Sequence, residues 1–217
     1  AMSSTARSML RSAASLGLVA VVGTTLLSGV DRVTAPHIAD QERRVVLEQL
    51  GQIVDPDRYD NALHEDWFTF TDEAHFPQGQ QVVAYRARRG GQPVAVILRF
   101  AAVDGYNGHI GLLLGIEADG RVAGVRVTSH RETPGLGDAI EAERSDWILT
   151  FNGTSLDNPA PRGWTVRRDG GAFDQFTGAT ITPRAVVKAV RLALEYHARH
   201  RDSLYDTAAR VLNEEAL

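Results

Sequence analysis

Ile110-Gly111-Leu112-Leu113-Leu114-Gly115-Ile116-Glu117 runs through Ala118-Asp119-Gly120 into Arg121-Val122-Ala123-Gly124-Val125-Arg126-Val127-Thr128-Ser129-His130. Two apolar runs flank Asp-Gly, a pair that favours the tight turn of a β-hairpin. Ile110, Leu112, Leu114 and Ile116 alternate, so one face of the first strand is apolar. Upstream, Gln81–Arg88 and Pro93–Ala102 form a second pair of strands, parted by Gly90-Gly91. Successive hairpins with no helix between them predict an antiparallel sheet. The fold class is therefore α+β, an antiparallel sheet with packed helices.

The helices are read from the flanks of that sheet. From Arg184 to about His200, Val186, Val187, Val190, Ala193 and Leu194 share one side. Arg184, Lys188, Arg191 and Glu195 take the other, which predicts an amphipathic helix docked on the sheet. Asp138–Phe151 reads as a short helix, and Ile38–Ile53 as a polar one with a partial apolar stripe. Tyr59–Pro77 is mixed and aromatic, and no element is predicted there.

From Ala13 to Val30 the sequence is apolar or small, and about 18 residues at about 1.5 Å each just cross a bilayer core. Arg7 and Arg11 precede the run and Asp31 follows it, which predicts a cytoplasmic amino terminus. A cleaved signal peptide is the rival reading, but no small-x-small site follows Val30. The expected organisation is a cytoplasmic stretch over 1–11, a transmembrane helix over 12–30, a linker helix over 31–56, a folded domain over 57–205 and a tail over 206–217.

Composition narrows the chemistry. A net charge of −4 gives no footprint for nucleic acid. With no cysteine, disulfides, cysteine-held iron–sulfur clusters and thiol catalysis are excluded. The histidines are scattered. His197 and His200 lie three apart near a helix end, a position the dipole favours for cations, and no third metal ligand is suggested.

Two short constellations carry the functional signal. In Asp174-Gln175-Phe176-Thr177-Gly178-Ala179-Thr180-Ile181-Thr182-Pro183, a turn of small residues feeds a helix. Thr182 is placed to cap it, and Pro183 suits its first position. Such a helix start offers free N–H groups and partial positive charge to an anion. Gly178 and Ala179 let a bulky group approach, and Thr180 stands beside with a hydroxyl. The second, Glu132-Thr133-Pro134-Gly135-Leu136-Gly137-Asp138, is a rigid turn with exposed backbone donors. Trp164, Phe173 and Phe176 lie near the first turn in sequence, where core packing is their ordinary role.

Asp-x-x-Thr-Gly-Ala-Thr resembles the attachment motif of the covalent-FMN domains, and Glu-Thr-Pro-Gly-Leu-Gly resembles their flavin-enclosing loop. The resemblance implies FMN held as a phosphoester on Thr180, with Asp174, Thr177, Gly178, Ala179, Glu132, Thr133, Gly135, Leu136 and Gly137 around it. It also implies a separate flavin transferase that takes FMN from FAD, so Thr180 would be a modification acceptor and not a catalytic residue. Over nearly its whole length, including the Pro-His-Ile-Ala-Asp-Gln-Glu-Arg run from Pro36, the chain is similar to the G-subunit family of Rnf electron transport complexes. That family implies an electron-carrying protein, partnered by other membrane subunits, in the bacterial inner membrane with its FMN domain periplasmic. The C-subunit family of the sodium-translocating NADH:quinone reductase shares the attachment chemistry and stays open at this point. So does a membrane-anchored binding module in which the turn merely caps a helix. A threonine-nucleophile hydrolase would need a base near Thr180, and the sequence offers no histidine there.

Overall fold

The computed structural model describes residues 47–206 together with Gly17, Val21 and Thr24. The chain divides into a unit over 1–46 and a unit over 47–217. In the first, the three described residues are helical and exposed. Apart from Gly17, Val21 and Thr24, the predicted membrane segment lies outside the described residues, as do the run from Pro36 and most of the predicted linker helix. Among the described residues, no helix is long and apolar enough to cross a membrane.

The second unit is built on five antiparallel strands whose spatial order equals their chain order. They are β1 (Trp67–Phe70), β2 (Val82–Arg89), β3 (Gln92–Gly105), β4 (Gly108–Glu117) and β5 (Val122–Ser129). The four strands expected from sequence match β2 to β5 to within a few residues. The glycines of both predicted turns take positive φ, 56° and 78° at Gly90 and Gly91 and 92° at Gly120, which explains the residue choice. β1 arises inside the stretch that predicted nothing. It pairs Trp67–Phe70 with Tyr85–Val82, so the sheet, and not local pattern, makes it a strand.

The long carboxy-terminal helix, α1 (Ile181–Tyr205), packs across the sheet face carrying Val96, Leu98, Phe100, Ile110, Leu112, Leu114 and Ile116. Val186, Val187, Val190, Ala193 and Leu194 are buried there as predicted. The other face is covered too. Tyr85, Ala87, Ala95, Ile97 and Leu113 are buried on it, as are Leu50, Ile53 and Val54 of the segment that enters the domain. Gly115 and Gly124 pair across β4 and β5 and leave the hollow that Ile53 fills.

Three local expectations are corrected. Asp138–Phe151 is not one helix but two short 3₁₀ helices, Gly137–Ile140 and Asp146–Phe151. Ser145 caps the second by accepting from the Trp147 N–H, and that break forbids continuity. α1 begins at Ile181, so Thr182 is inside it and caps nothing. His197 does not serve the helix dipole. It is 2% exposed, Nε2 has no hydrogen-bond partner, and burial with the nearby Arg201 charge lowers its pKa to about 4, so it is neutral.

The far end of α1 is fixed by buried charge. Arg86, fully buried, donates from Nε to Asp66 Oδ1 at 2.7 Å and from Nη1 to the Asp206 carbonyl. Arg88 donates to Asp66 Oδ2 at 3.1 Å and to the Tyr205 carbonyl. Together they satisfy carbonyls that a helix end leaves without partners.

Candidate functional site

Both sequence constellations are glycine turns of one kind. In the first, the Ala179 N–H donates to the Phe176 carbonyl at 3.2 Å, and Gly178 has φ +82°. In the second, the Leu136 N–H donates to the Thr133 carbonyl at 3.1 Å, and Gly135 has φ +77°. A glycine with positive φ at the third position is the mark of a type II turn. Gly178 is therefore required first by its own backbone.

The two turns meet at the mouth of α1. A cleft of about 210 Å³ is lined by Glu132, Thr133, Leu136 and Gly137 from one, by Gly178, Ala179 and Thr180 from the other, and by Tyr106, Ile181 and Thr182. Seven of the ten residues expected at the site are thus brought together. Gly135 forms the turn without lining the cleft, and Thr177 is exposed beside it. Asp174 does not line the cleft: its carboxylate turns outward to Arg167 Nε at 3.0 Å, both side chains being exposed, while its carbonyl accepts from Trp147 Nε1 at 2.7 Å. It anchors the turn from behind.

Thr180 precedes the first helical residue, yet its φ of −81° and ψ of −26° are already helical. A capping residue needs extended dihedrals to turn its side chain onto the first N–H groups. Accordingly its hydroxyl makes no capping bond and has no hydrogen-bond partner among the described residues. Neither Lys nor Arg lines the cleft. Arg184 is paired with Asp169 at 2.7 Å and Lys188 with Asp104 at 2.5 Å, so Lys188 takes the surface role expected of it. The charge complement for an anion is the helix start itself.

The walls are apolar and open. Tyr106, Leu136 and Ile181, 64%, 43% and 44% exposed, are three of the few large hydrophobic side chains that the described residues leave in water. Water-exposed side chains of this size, grouped around one cleft, suit a flat apolar ligand. Trp164 and Phe173 are buried beneath, Phe173 stacking on Phe151 at 4.6 Å, and Phe176 packs on Trp147 at 5.2 Å. Phe176 thereby ties the Phe176–Ala179 turn to the core. The aromatic at the cleft is Tyr106, which sequence reading missed, as it missed Asn107 and Ile181. The signal was Gly105-Tyr106-Asn107-Gly108, a turn that the meander brings to the same end of the sheet as His130.

Residues 105–195 match the family model described as an FMN-binding domain, and residues 2–53 match the one described as the RnfG N-terminal region. The chain is 48% identical over 201 residues to the G subunit of the ion-translocating oxidoreductase complex of Pseudomonas aeruginosa strain UCBPP-PA14, spanning 92% of this chain and 94% of that protein. It is 43% identical over 203 residues to the G subunit of the same complex in Shewanella piezotolerans, spanning 94% and 96%. To the G subunit of Vibrio cholerae strain M66-2 it is 44% identical over 191 residues, spanning 88% and 91%.

Proposed function

The chain belongs to the G-subunit family of ion-translocating oxidoreductase complexes, and from that premise we propose that it carries FMN as a phosphoester on Thr180. It is a redox protein with an FMN-binding domain, working beside the other subunits of its complex. Membership in this family decides for the Rnf complex over the C-subunit family of the sodium-translocating reductase and over a binding module without redox chemistry.

One observation supports Thr180 above its neighbours. Among the described residues its hydroxyl has no partner, at the mouth of a helix and inside the cleft, whereas Thr182 is 1% exposed and bonded to Glu132 and Thr177 lies outside the lining. The residues fit the group. The first turn of α1 would hold the phosphate, Gly178 and Ala179 would leave room for the ribityl arm, and Tyr106, Leu136 and Ile181 would offer apolar surface to the ring. FMN supplies the exchange of one or two electrons, and the protein supplies placement. A covalent tether keeps the ring near its partners without loss by dissociation.

No carboxylate or imidazole is hydrogen-bonded to Thr180 among the described residues, which supports activation of its hydroxyl by a separate enzyme. A flavin transferase acting on FAD is that enzyme. The Thr180 Oγ1–phosphorus bond forms, the pyrophosphate bond breaks, AMP leaves, and the hydroxyl proton passes to the transferase. The membrane segment over 12–30 holds the chain in the inner membrane, with the flavin domain over 57–205 on the periplasmic side.

The test is the mass of the denatured full chain after expression with and without the transferase. An FMN-sized increment that requires the transferase, survives in part in Thr180→Ser and disappears in Thr180→Val is the expected result. An increment that persists in Thr180→Val refutes the assignment to this residue.

A further inference from the structure

We propose that Glu132 is the positioning residue of this cleft: its buried carboxylate ties the β3–β4 turn to the first turn of α1 and so sets the walls around Thr180. The inference rests on the flavin reading above. It goes beyond it by giving Glu132 a role that acts through other residues and not on the cofactor.

Glu132 is 5% exposed. Oε1 accepts the backbone N–H of Asn107 at 3.0 Å, and Oε2 accepts the hydroxyl of Thr182 at 2.5 Å. Its own N–H donates to His130 Nδ1 at 3.0 Å, and His130 Nε2 lies 2.5 Å from Glu141 Oε1. Since Nδ1 accepts, the ring proton sits on Nε2 and points at Glu141. The backbone of Glu132 is therefore held while both carboxylate oxygens reach outward to two other segments. A parallel bond joins Asn107 Nδ2 to Thr133 Oγ1 at 3.2 Å.

The chain is shaped around this carboxylate. A Cβ at Gly105 would stand 2.9 Å from Oε1 and 2.2 Å from the Gly108 carbonyl. One at Gly137 would stand 2.8 Å from Glu132 Cβ and 3.0 Å from both Oε2 and Thr182 Oγ1. Two glycines thus make room for one side chain. The segments it joins carry the cleft walls: Tyr106 precedes Asn107, Leu136 precedes Gly137, and Thr180 and Ile181 precede Thr182. Without the carboxylate, a part-buried N–H and a buried hydroxyl lose their partners at once, and the walls are no longer held in register. Thr182 also gains a reason to differ from Thr180. Its hydroxyl is spent on Glu132.

The test uses the full chain with Glu132→Ala, Glu132→Gln and Thr182→Val. In flavin-free protein, amide exchange at Asn107 should rise about tenfold in Glu132→Ala, the effect of one lost local hydrogen bond. Exchange over residues 181–184 should rise similarly in Thr182→Val, which keeps the side-chain shape. Glu132→Gln should restore slow exchange, because an amide can accept from Asn107 and donate to Thr182. In loaded protein, the flavin of Glu132→Ala and Thr182→Val should show lower fluorescence anisotropy than wild type, and Glu132→Gln should not. Wild-type exchange and anisotropy in both Glu132→Ala and Thr182→Val overturn the proposal, as does a Gln variant as loose as Ala. Should Glu132→Ala not fold, Thr182→Val alone decides. Failure of the underlying reading is seen separately, as absence of an FMN increment in wild type, and leaves the exchange experiment intact.

Discussion

His197 makes the acid stability of this domain calculable. In the folded chain its pKa is lowered to about 4 by burial and by Arg201, against an ordinary value of 6.5, with Asp119 acting weakly the other way. Above pH 6.5 the ring is neutral in both states and protonation contributes nothing. Between the two values the unfolded chain holds a proton that the folded chain lacks, so stability falls as pH falls, at up to about 1.4 kcal/mol per pH unit. Below about 4 both states hold the proton and the loss saturates. From pH 7 to pH 4.5 the loss assigned to this one ring is about 2 kcal/mol. His197→Leu keeps a buried apolar side chain and removes the partnerless Nε2. Urea unfolding followed by tryptophan fluorescence, at a series of pH values, gives the two stability curves. The gap between them should change as pH falls, the wild type losing about 2 kcal/mol more than the variant by pH 4.5. Every other titrating group acts on both curves and cancels in the difference. Parallel curves would refute the reasoning, because they would mean that His197 gains its proton as easily folded as unfolded.

Two further outcomes follow from packing. Gly115→Ala would bring its Cβ to 2.3 Å from Ile53 Cγ2, so it should destabilise the domain by about 2 kcal/mol, and Ile53→Ala should relieve part of that cost; purely additive effects in a double-mutant cycle would show that Ile53 does not sit in the glycine hollow. Arg86→Leu strips Asp66 of its buried partner and should cost about 3 kcal/mol, with faster amide exchange over residues 203–206, whereas a change under about 0.5 kcal/mol would disprove the clamp at the end of α1.

The parts of the fold legible in the sequence are those whose cause is local. Asp119-Gly120 and Gly90-Gly91 dictate turns by backbone conformation alone, and alternation in Ile110–Ile116 marks a buried face. The valines of α1 recur at helical spacing and are buried as that spacing demands. What escaped has a remote cause. Trp67–Phe70 is four residues long, and only its pairing with β2 makes it a strand. Apolar spacing in Ile140, Trp147, Ile148 and Phe151 fits a helix as well as two 3₁₀ helices, and nothing local marks the serine between them as a cap. At the site, the place of Thr180 at a helix start was legible from its motif, but the lack of a capping bond to its hydroxyl was not. Thr182 looks like the cap because Pro183 follows it, but the helix starts at Ile181 and the Thr182 hydroxyl is bonded instead to Glu132, 50 residues away in sequence.

Topology explains why two motifs so far apart in the chain must meet. A meander in chain order turns back at each hairpin, so the β3–β4 turn at Gly105–Gly108 and the exit of β5 at Ser129 lie at one end of the sheet, with Gly111 paired to Ser129 across β4 and β5. The loop after Ser129 therefore emerges beside Tyr106 and Asn107. α1 crosses β3 with its amino-terminal end at the same edge, since Ala185 and Lys188 lie together with Ala102, Val103 and Asp104 around one groove. One sheet edge thus gathers a hairpin turn, a glycine loop and a helix start, and each contributes what the others lack: apolar wall, rigid backbone, and positive field beside a free hydroxyl. A cleft assembled this way has no covalent link between its walls, which is why a single buried carboxylate spanning them carries so much of its geometry.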